Sequence, residues 1–264
     1  MDLFVRESGP VGAPTIVFLH GAKMSGWCWQ PVVERMPQYR CLVPDLPQFG
    51  ESFQQGPFEI GRAAKTVAEL IRSRAGTGRA HVVGFSLGAQ VGVQLLASDS
   101  KLVGRAVLCG TVINTKWGVK LIQPLAVPLA QATWFRRSIR RSWNMHHAGI
   151  PAARLDDYRK DVSLVTGAQF VHIVTASARF TLPDMLDKSD TPTLFLTGGK
   201  ETRFAHRSAA ALAQPMSNGV DRVASGMGHD WPLRYPDLFS RTIDGWLSGT
   251  ALPLEIGLPN AGRH

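Results

Sequence analysis

Ser86 lies in Gly84-Phe85-Ser86-Leu87-Gly88, where an apolar run, Ala80 to Phe85, meets a small-residue stretch, Leu87 to Ala97. A strand that reverses sharply into a helix strains the residue at the turn and lifts its hydroxyl above the sheet, and flanking glycines avoid collisions with neighbouring backbone. Such a serine can attack a carbonyl carbon, provided that a base takes its proton and a third group holds the base in the right tautomer. His229, in Ser225-Gly226-Met227-Gly228-His229-Asp230-Trp231-Pro232, is the candidate base. Glu201, closing Leu194-Phe195-Leu196-Thr197-Gly198-Gly199-Lys200-Glu201, is the candidate orienting carboxylate. Asp230 competes for that role, but adjacency to His229 makes orienting the ring awkward. The developing oxyanion needs two backbone donors aimed at one point. The amides of Leu87, which opens the helix, and of Ala22, after His20-Gly21, are the candidates. His20 itself reads as a structural hydrogen-bonding residue rather than a second base.

The elements that must position these groups are short apolar runs ending in Gly, Pro, Asp or His: Thr15 to His20, Arg40 to Pro44, Ala80 to Ser86, Val103 to Gly110, Thr193 to Thr197 and Asp221 to Ala224. Each reads as a buried parallel strand. Helical stretches separate most of them: Trp27 to Met36, Arg62 to Arg74, Leu87 to Ala97, Ala205 to Ala213 and Pro236 to Leu247. This alternation predicts an α/β fold with a doubly wound, mostly parallel sheet whose ligands bind beyond the carboxyl ends of the strands. From about Val112 to Asp187 the alternation stops, and helices are expected over Leu121 to Trp134, Phe135 to Trp143, Ala153 to Thr166 and Gln169 to Ala178. The expected organisation is therefore a core of residues 1–111 and 188–264, with residues 112–187 inserted as a helical cap. The stretch after Gly249, with Pro253 and Pro259, is expected to be loosely held.

At 264 residues and 44% apolar content, the chain can bury a sizeable core. Cys28, Cys41 and Cys109 are widely spaced and odd in number, which suggests buried thiols rather than a disulfide framework or a metal cluster. Neither a metal nor an organic cofactor is expected. Met1 to Glu7 carries no basic stretch leading into an apolar run, and no run approaches the ~18 apolar residues of a membrane span. A cytoplasmic protein without stable membrane insertion is the expectation. The net charge of +9 has no nucleic-acid motif beside it, so nucleic acid is not the expected partner.

Taken together, His20-Gly21, the loop Asp45-Leu46-Pro47-Gln48-Phe49-Gly50-Glu51-Ser52, the Gly84 to Gly88 turn, Glu201 and Gly228-His229 make the chain resemble the capped, single-domain serine members of the α/β-hydrolase family. The resemblance runs from about Leu3 to Leu247, in the family's order of nucleophile, acid and histidine. It implies a cofactor-free esterase-like serine hydrolase. Two departures stand out: the opening antiparallel strand of the family is shortened or lost, and glutamate replaces the usual aspartate at Glu201. No carboxylate occupies the alternative acid position after Gly110. Related dehalogenases and epoxide hydrolases use aspartate where this chain has Ser86, and related hydroxynitrile lyases carry lysine next to the histidine, where this chain has Asp230.

Between Thr115 and Met185 ten basic residues face four acidic ones, so the insertion holds +6 of the net charge. Its densest part is Arg136-Arg137-Ser138-Ile139-Arg140-Arg141, beside Trp134, Phe135 and Trp143. A solvated face is one reading; an acidic carrier protein delivering an acyl chain, or a substrate carboxylate, are the others. Trp27, Phe85 and Trp231 are the expected pocket walls for an apolar acyl group. Two alternatives to ester, lactone or thioester hydrolysis stay open: the same triad used for C–C bond hydrolysis or as a lyase on an anionic substrate, and a non-catalytic ligand receptor or interaction protein on the same scaffold.

Overall fold

The computed structural model describes residues 2–114, 150 and 152–259. Eight strands form one sheet in the order β1-β3-β2-β4-β5-β6-β7-β8. They are β1 (Val5–Ser8), β2 (Thr15–Leu19), β3 (Arg40–Pro44), β4 (Ala80–Phe85), β5 (Val103–Cys109), β6 (Thr193–Gly198), β7 (Gly219–Ala224) and β8 (Ile256–Gly257). The six inner strands are parallel. Antiparallel β1 and β8 close the two edges. The opening strand is thus present as four residues, with Val5 opposite Pro44 and Ser8 opposite Cys41.

The end of the chain departs from expectation. Ile256 is buried and pairs with Ala224, and the Ser225 N–H donates to the Glu255 carbonyl at 2.9 Å. A two-residue strand is too short to show any period, and here backbone pairing to an open sheet edge, rather than side-chain pattern, orders the segment.

Helices cover both faces. On one side lie α2 (Ile60–Arg74), α3 (Leu87–Asp99) and α6 (Arg203–Ala213); on the other lie α1 (Gln30–Val33), α7 (Trp231–Arg234) and α8 (Pro236–Ser248). In α2, Ile60, Ala63, Ala64, Val67, Leu70 and Ile71 recur at the three- and four-residue spacing of a single buried stripe. By contrast, α3 is buried nearly all round, because it is wedged between the sheet and α2. Between β5 and β6 the chain adds α4 (Leu155–Leu164) and α5 (Gly167–Ala178). The helices expected over Leu121 to Trp134 and Phe135 to Trp143 lie outside the described residues.

Register brings the strand ends level. Leu19 pairs with Gly84, Phe85 with Cys109, Cys109 with Leu196, and Gly198 with Ala224. His20, Ser86, Gly110, Glu201 and the loop of His229 therefore emerge along one edge. Because the chain passes from β2 outward to β3 and then back across to β4, the strand order reverses beside β2, and a crevice opens at such a switch point.

The turn after β4 depends on Gly88, where an added Cβ would fall 2.2 Å from the Leu19 carbonyl oxygen and 2.7 Å from that of His20. Both contacts are backbone and cannot swing aside. Gly88→Ala is expected to cost about 3 kcal/mol or more. That corresponds to roughly 6–12 °C of Tm for a chain of this size, measured by thermal melting.

Candidate active site

Ser86 holds φ 53 and ψ −112, a left-handed backbone that few side-chain-bearing residues adopt. Its N–H donates to the Cys109 carbonyl at 2.8 Å, and its own carbonyl accepts from Ala89 and Gln90 at 3.0 and 3.1 Å. The turn is thereby stapled to β5 on one side and to the first turn of α3 on the other. Leu87 heads that helix, where amides have no intrahelical acceptor.

Glu201 and His229 come together. Glu201 Oε2 accepts from His229 Nδ1–H at 2.8 Å, while Oε1 accepts from the Gly198 N–H at 2.7 Å. The glutamate side chain is only 7% exposed, against 44% for the histidine. A carboxylate that accepts at Nδ1 leaves Nε2 with its lone pair free to take a proton. The imidazole lies on the ring of Phe85, the residue before the serine, with centroids 5.0 Å apart. Gly110 backs it from β5: with φ +70, an added Cβ would stand 2.5 Å from His229 Cε1. Asp230 is turned away and accepts from Arg234 Nε at 2.6 Å, one helical turn on.

The loop that carries Ala22 approaches from the other side, with Gly21 packed against the Phe85 ring and beside the Ser86 Cβ. Its start is fixed by His20, which is fully buried. The Leu46 N–H can only donate, so His20 Nε2 accepts it at 2.9 Å and Nδ1–H donates to the Gly21 carbonyl at 2.9 Å. Burial pushes the His20 pKa below its ordinary value, which keeps the ring neutral in this structural task. Further along, Asp45 Oδ1 accepts from the Gly26 N–H at 2.7 Å and from Arg6 at 2.5 Å, and Oδ2 accepts from the Glu51 N–H at 2.9 Å.

The three expected pocket walls are all buried, in one cluster. Phe85 lies under the histidine, and Trp27 is buried with its indole N–H on Asp161 of α4 at 2.6 Å. Trp231 is fully buried edge-on to Phe239, 5.0 Å between centroids, in the same buried cluster as Trp27 and Phe85. Pro232 in the first turn of its short helix directs the chain inward. Gly110 and Phe85, as the bed of the histidine, carry no signal of their own beyond a glycine at a strand end and an apolar residue in the turn.

Helices α4 and α5 sit over this loop. Lys160 pairs with Glu51 at 2.6 Å, and His172 Nε2–H donates to the Phe58 carbonyl at 2.8 Å. Between them and the loop a small, partly open void of about 10 Å³ remains, lined among others by Ala22, Lys23, Phe49, Phe170 and Ile173. That is room for one water, not for an acyl chain.

Cys28, Cys41 and Cys109 are buried free thiols, and burial pushes that of Cys41 up to about 12. Among the described residues no group of three or more His, Cys, Asp and Glu side chains is arranged to hold a metal ion, and no helix is long and apolar enough to cross a membrane.

Residues 16–242 match the model of the family described as "Alpha/beta hydrolase family". Over 256 residues the chain is 26% identical to an "AB hydrolase superfamily protein" of Gibberella zeae, spanning 95% of this chain and 86% of that one. It is 25% identical over 250 residues to a pimeloyl-[acyl-carrier protein] methyl ester esterase of Yersinia pseudotuberculosis, covering 86% and 91% of the two chains. In fold it is similar to a thermophilic esterase from Thermogutta terrifontis, with TM-score 0.72, 19% identity and 94% and 93% coverage. The enol-lactonase from Burkholderia xenovorans gives TM-score 0.71, 21% identity and 93% and 96% coverage.

Proposed function

The chain belongs to the alpha/beta hydrolase family, and from that premise we propose that it is a serine hydrolase cleaving a carboxylic ester, lactone or thioester of an apolar acyl group. The observation that carries this reading is the 2.8 Å bond from His229 Nδ1 to Glu201 Oε2. It fixes the tautomer of an imidazole lying on Phe85, beside Ser86. In the proposed reaction His229 Nε2 takes the hydroxyl proton as Ser86 Oγ attacks the carbonyl carbon, and the amides of Ala22 and Leu87 receive the oxyanion. The tetrahedral species collapses, and the leaving alcohol or thiol takes its proton from His229. Water then adds to the acyl-enzyme with His229 again as base, and the free acid leaves.

We place the core at residues 1–111 and 188–264 and the cap at 112–187, with α4 and α5 as its described part. Support for an ester substrate comes from the esterase and lactonase names among relatives and similar structures. An acidic carrier protein stays within the proposal because an esterase acting on a carrier-bound acyl ester is among the relatives. The basic residues Arg136 to Arg141 that would meet it lie outside the described residues.

Labelling tests the reading directly. Incubation with a fluorophosphonate is expected to add one phosphonyl group per chain, on Ser86 by peptide mass mapping, with loss of activity on short p-nitrophenyl esters in the same proportion. Binding of ligands with no labelling would make the chain a receptor on this scaffold. Labelling with turnover of vinylogous diketones but not of esters would assign C–C cleavage instead.

A further inference from the structure

Asp161 is the charged residue of α4 that faces inward. It is 6% exposed, whereas the Asp156 side chain on the same helix is 94% exposed. Its carboxylate accepts the Trp27 indole N–H at 2.6 Å, and Ser25, two residues earlier, lies against it. Trp27 and Ser25, from one short stretch of loop, thus meet one cap side chain. That stretch is the far end of the segment whose near end presents Ala22. Asp45 and His20 hold the segment from the core side. Asp161 holds it from the cap.

We propose that Asp161 is a positioning residue for the hydrolytic site, tying α4 to Ser25 and Trp27 so that the Ala22 amide is set for the oxyanion only while the cap helix is docked. The inference rests on the reading of Ala22 as an oxyanion donor. A carboxylate offers acceptors on both oxygens without presenting a donor of its own, which an amide cannot do.

Burial raises the Asp161 pKa above the usual carboxylate range, and the Trp27 and Ser25 donors pull it only partly back. Buried Asp45, itself bonded to Arg6, adds to the rise. The other titratable groups around it are the Cys28 thiol, Lys160 paired with Glu51 on the solvent side, and Lys23 across the small void. Because the folded pKa is raised, the ionised group costs stability that appears as pH rises through the ordinary carboxylate range and is relieved by acid.

Asp161→Asn keeps the shape but turns an N–H₂ toward the loop donors. In the full-length protein it is expected to lower kcat on p-nitrophenyl butyrate about tenfold with KM moved less than about threefold, the mark of an interaction made in the transition state. The Ser25 amide is expected to exchange hydrogen faster as the loop loosens. Trp27→Phe, which removes one donor from the loop side, should shift kcat in the same direction, and the double variant should be no worse than the poorer single one. A kcat for Asp161→Asn within about twofold of wild type, or losses that multiply, would overturn the proposal. Unchanged protection of the Ser25 amide would overturn it whatever becomes of the hydrolase reading. The hydrolase reading stands or falls separately, on fluorophosphonate labelling of the wild-type chain.

Discussion

Ser86→Ala is expected to lower kcat/KM on short acyl esters by about 10⁴-fold or more and to abolish fluorophosphonate labelling, while the protein stays folded. The reason is that the proposed chemistry runs through one oxygen: without it His229 has no proton to accept and no acyl-enzyme forms. Stability should move little, because alanine keeps the Cβ and with it the same left-handed strain at φ 53. Ser86→Gly separates the two effects. It should be equally inactive yet gain about 1 kcal/mol or more as the strain is relieved, roughly 2–4 °C in Tm. A glycine variant that lost stability would mean that the turn is not strained. An alanine variant with wild-type turnover would remove Ser86 from the mechanism altogether.

How far this site can be read from the amino-acid sequence depends on the distance over which each constraint acts. The turn around Ser86 was legible because its causes are local: an apolar run, a small-residue helix and two glycines within five positions. The strand ends were legible too, since buried parallel strands read as continuous apolar runs, and their common polarity is enough to bring Ser86, Glu201 and His229 to one edge. Choosing Glu201 over Asp230 also needed only chain geometry, and Asp230 does bond Arg234, its helical neighbour four residues on. What escaped notice is set by partners far away in sequence. Gly110 matters because His229 lies against it, and Asp161 matters because Trp27, 134 positions earlier, points at it. In the sequence Asp161 is one of four acids in a basic insertion, and nothing in its neighbours distinguishes a buried carboxylate from a solvated one. Strand β8 is too short to carry any pattern.

Glu201→Gln is expected to be the next most damaging single change, lowering kcat/KM by about 10²- to 10⁴-fold. Both carboxylate oxygens are engaged, Oε1 by the Gly198 N–H and Oε2 by His229 Nδ1–H, and the side chain is 7% exposed. Glutamine has a single oxygen to meet the two donors. If the amide oxygen keeps Gly198, the N–H₂ faces His229 and imposes the tautomer with hydrogen on Nε2, which cannot accept the serine proton. If the amide flips to keep His229, two N–H groups confront each other at Gly198, and an unsatisfied buried donor costs about 1–3 kcal/mol. The variant must therefore lose rate or stability, and steady-state kinetics with thermal melting show which. Glu201→Asp is shorter by one methylene and cannot span from Gly198 to His229 on the same backbone, so it too should be impaired despite its charge. Combining Glu201→Gln with Ser86→Ala should cost no more than Ser86→Ala alone, because residues acting as one unit are not additive. A Glu201→Gln enzyme within about tenfold of wild type would move the orienting role to another carboxylate. Asp230 would then have to release Arg234 to take it up, so Arg234→Ala in that background would raise activity further.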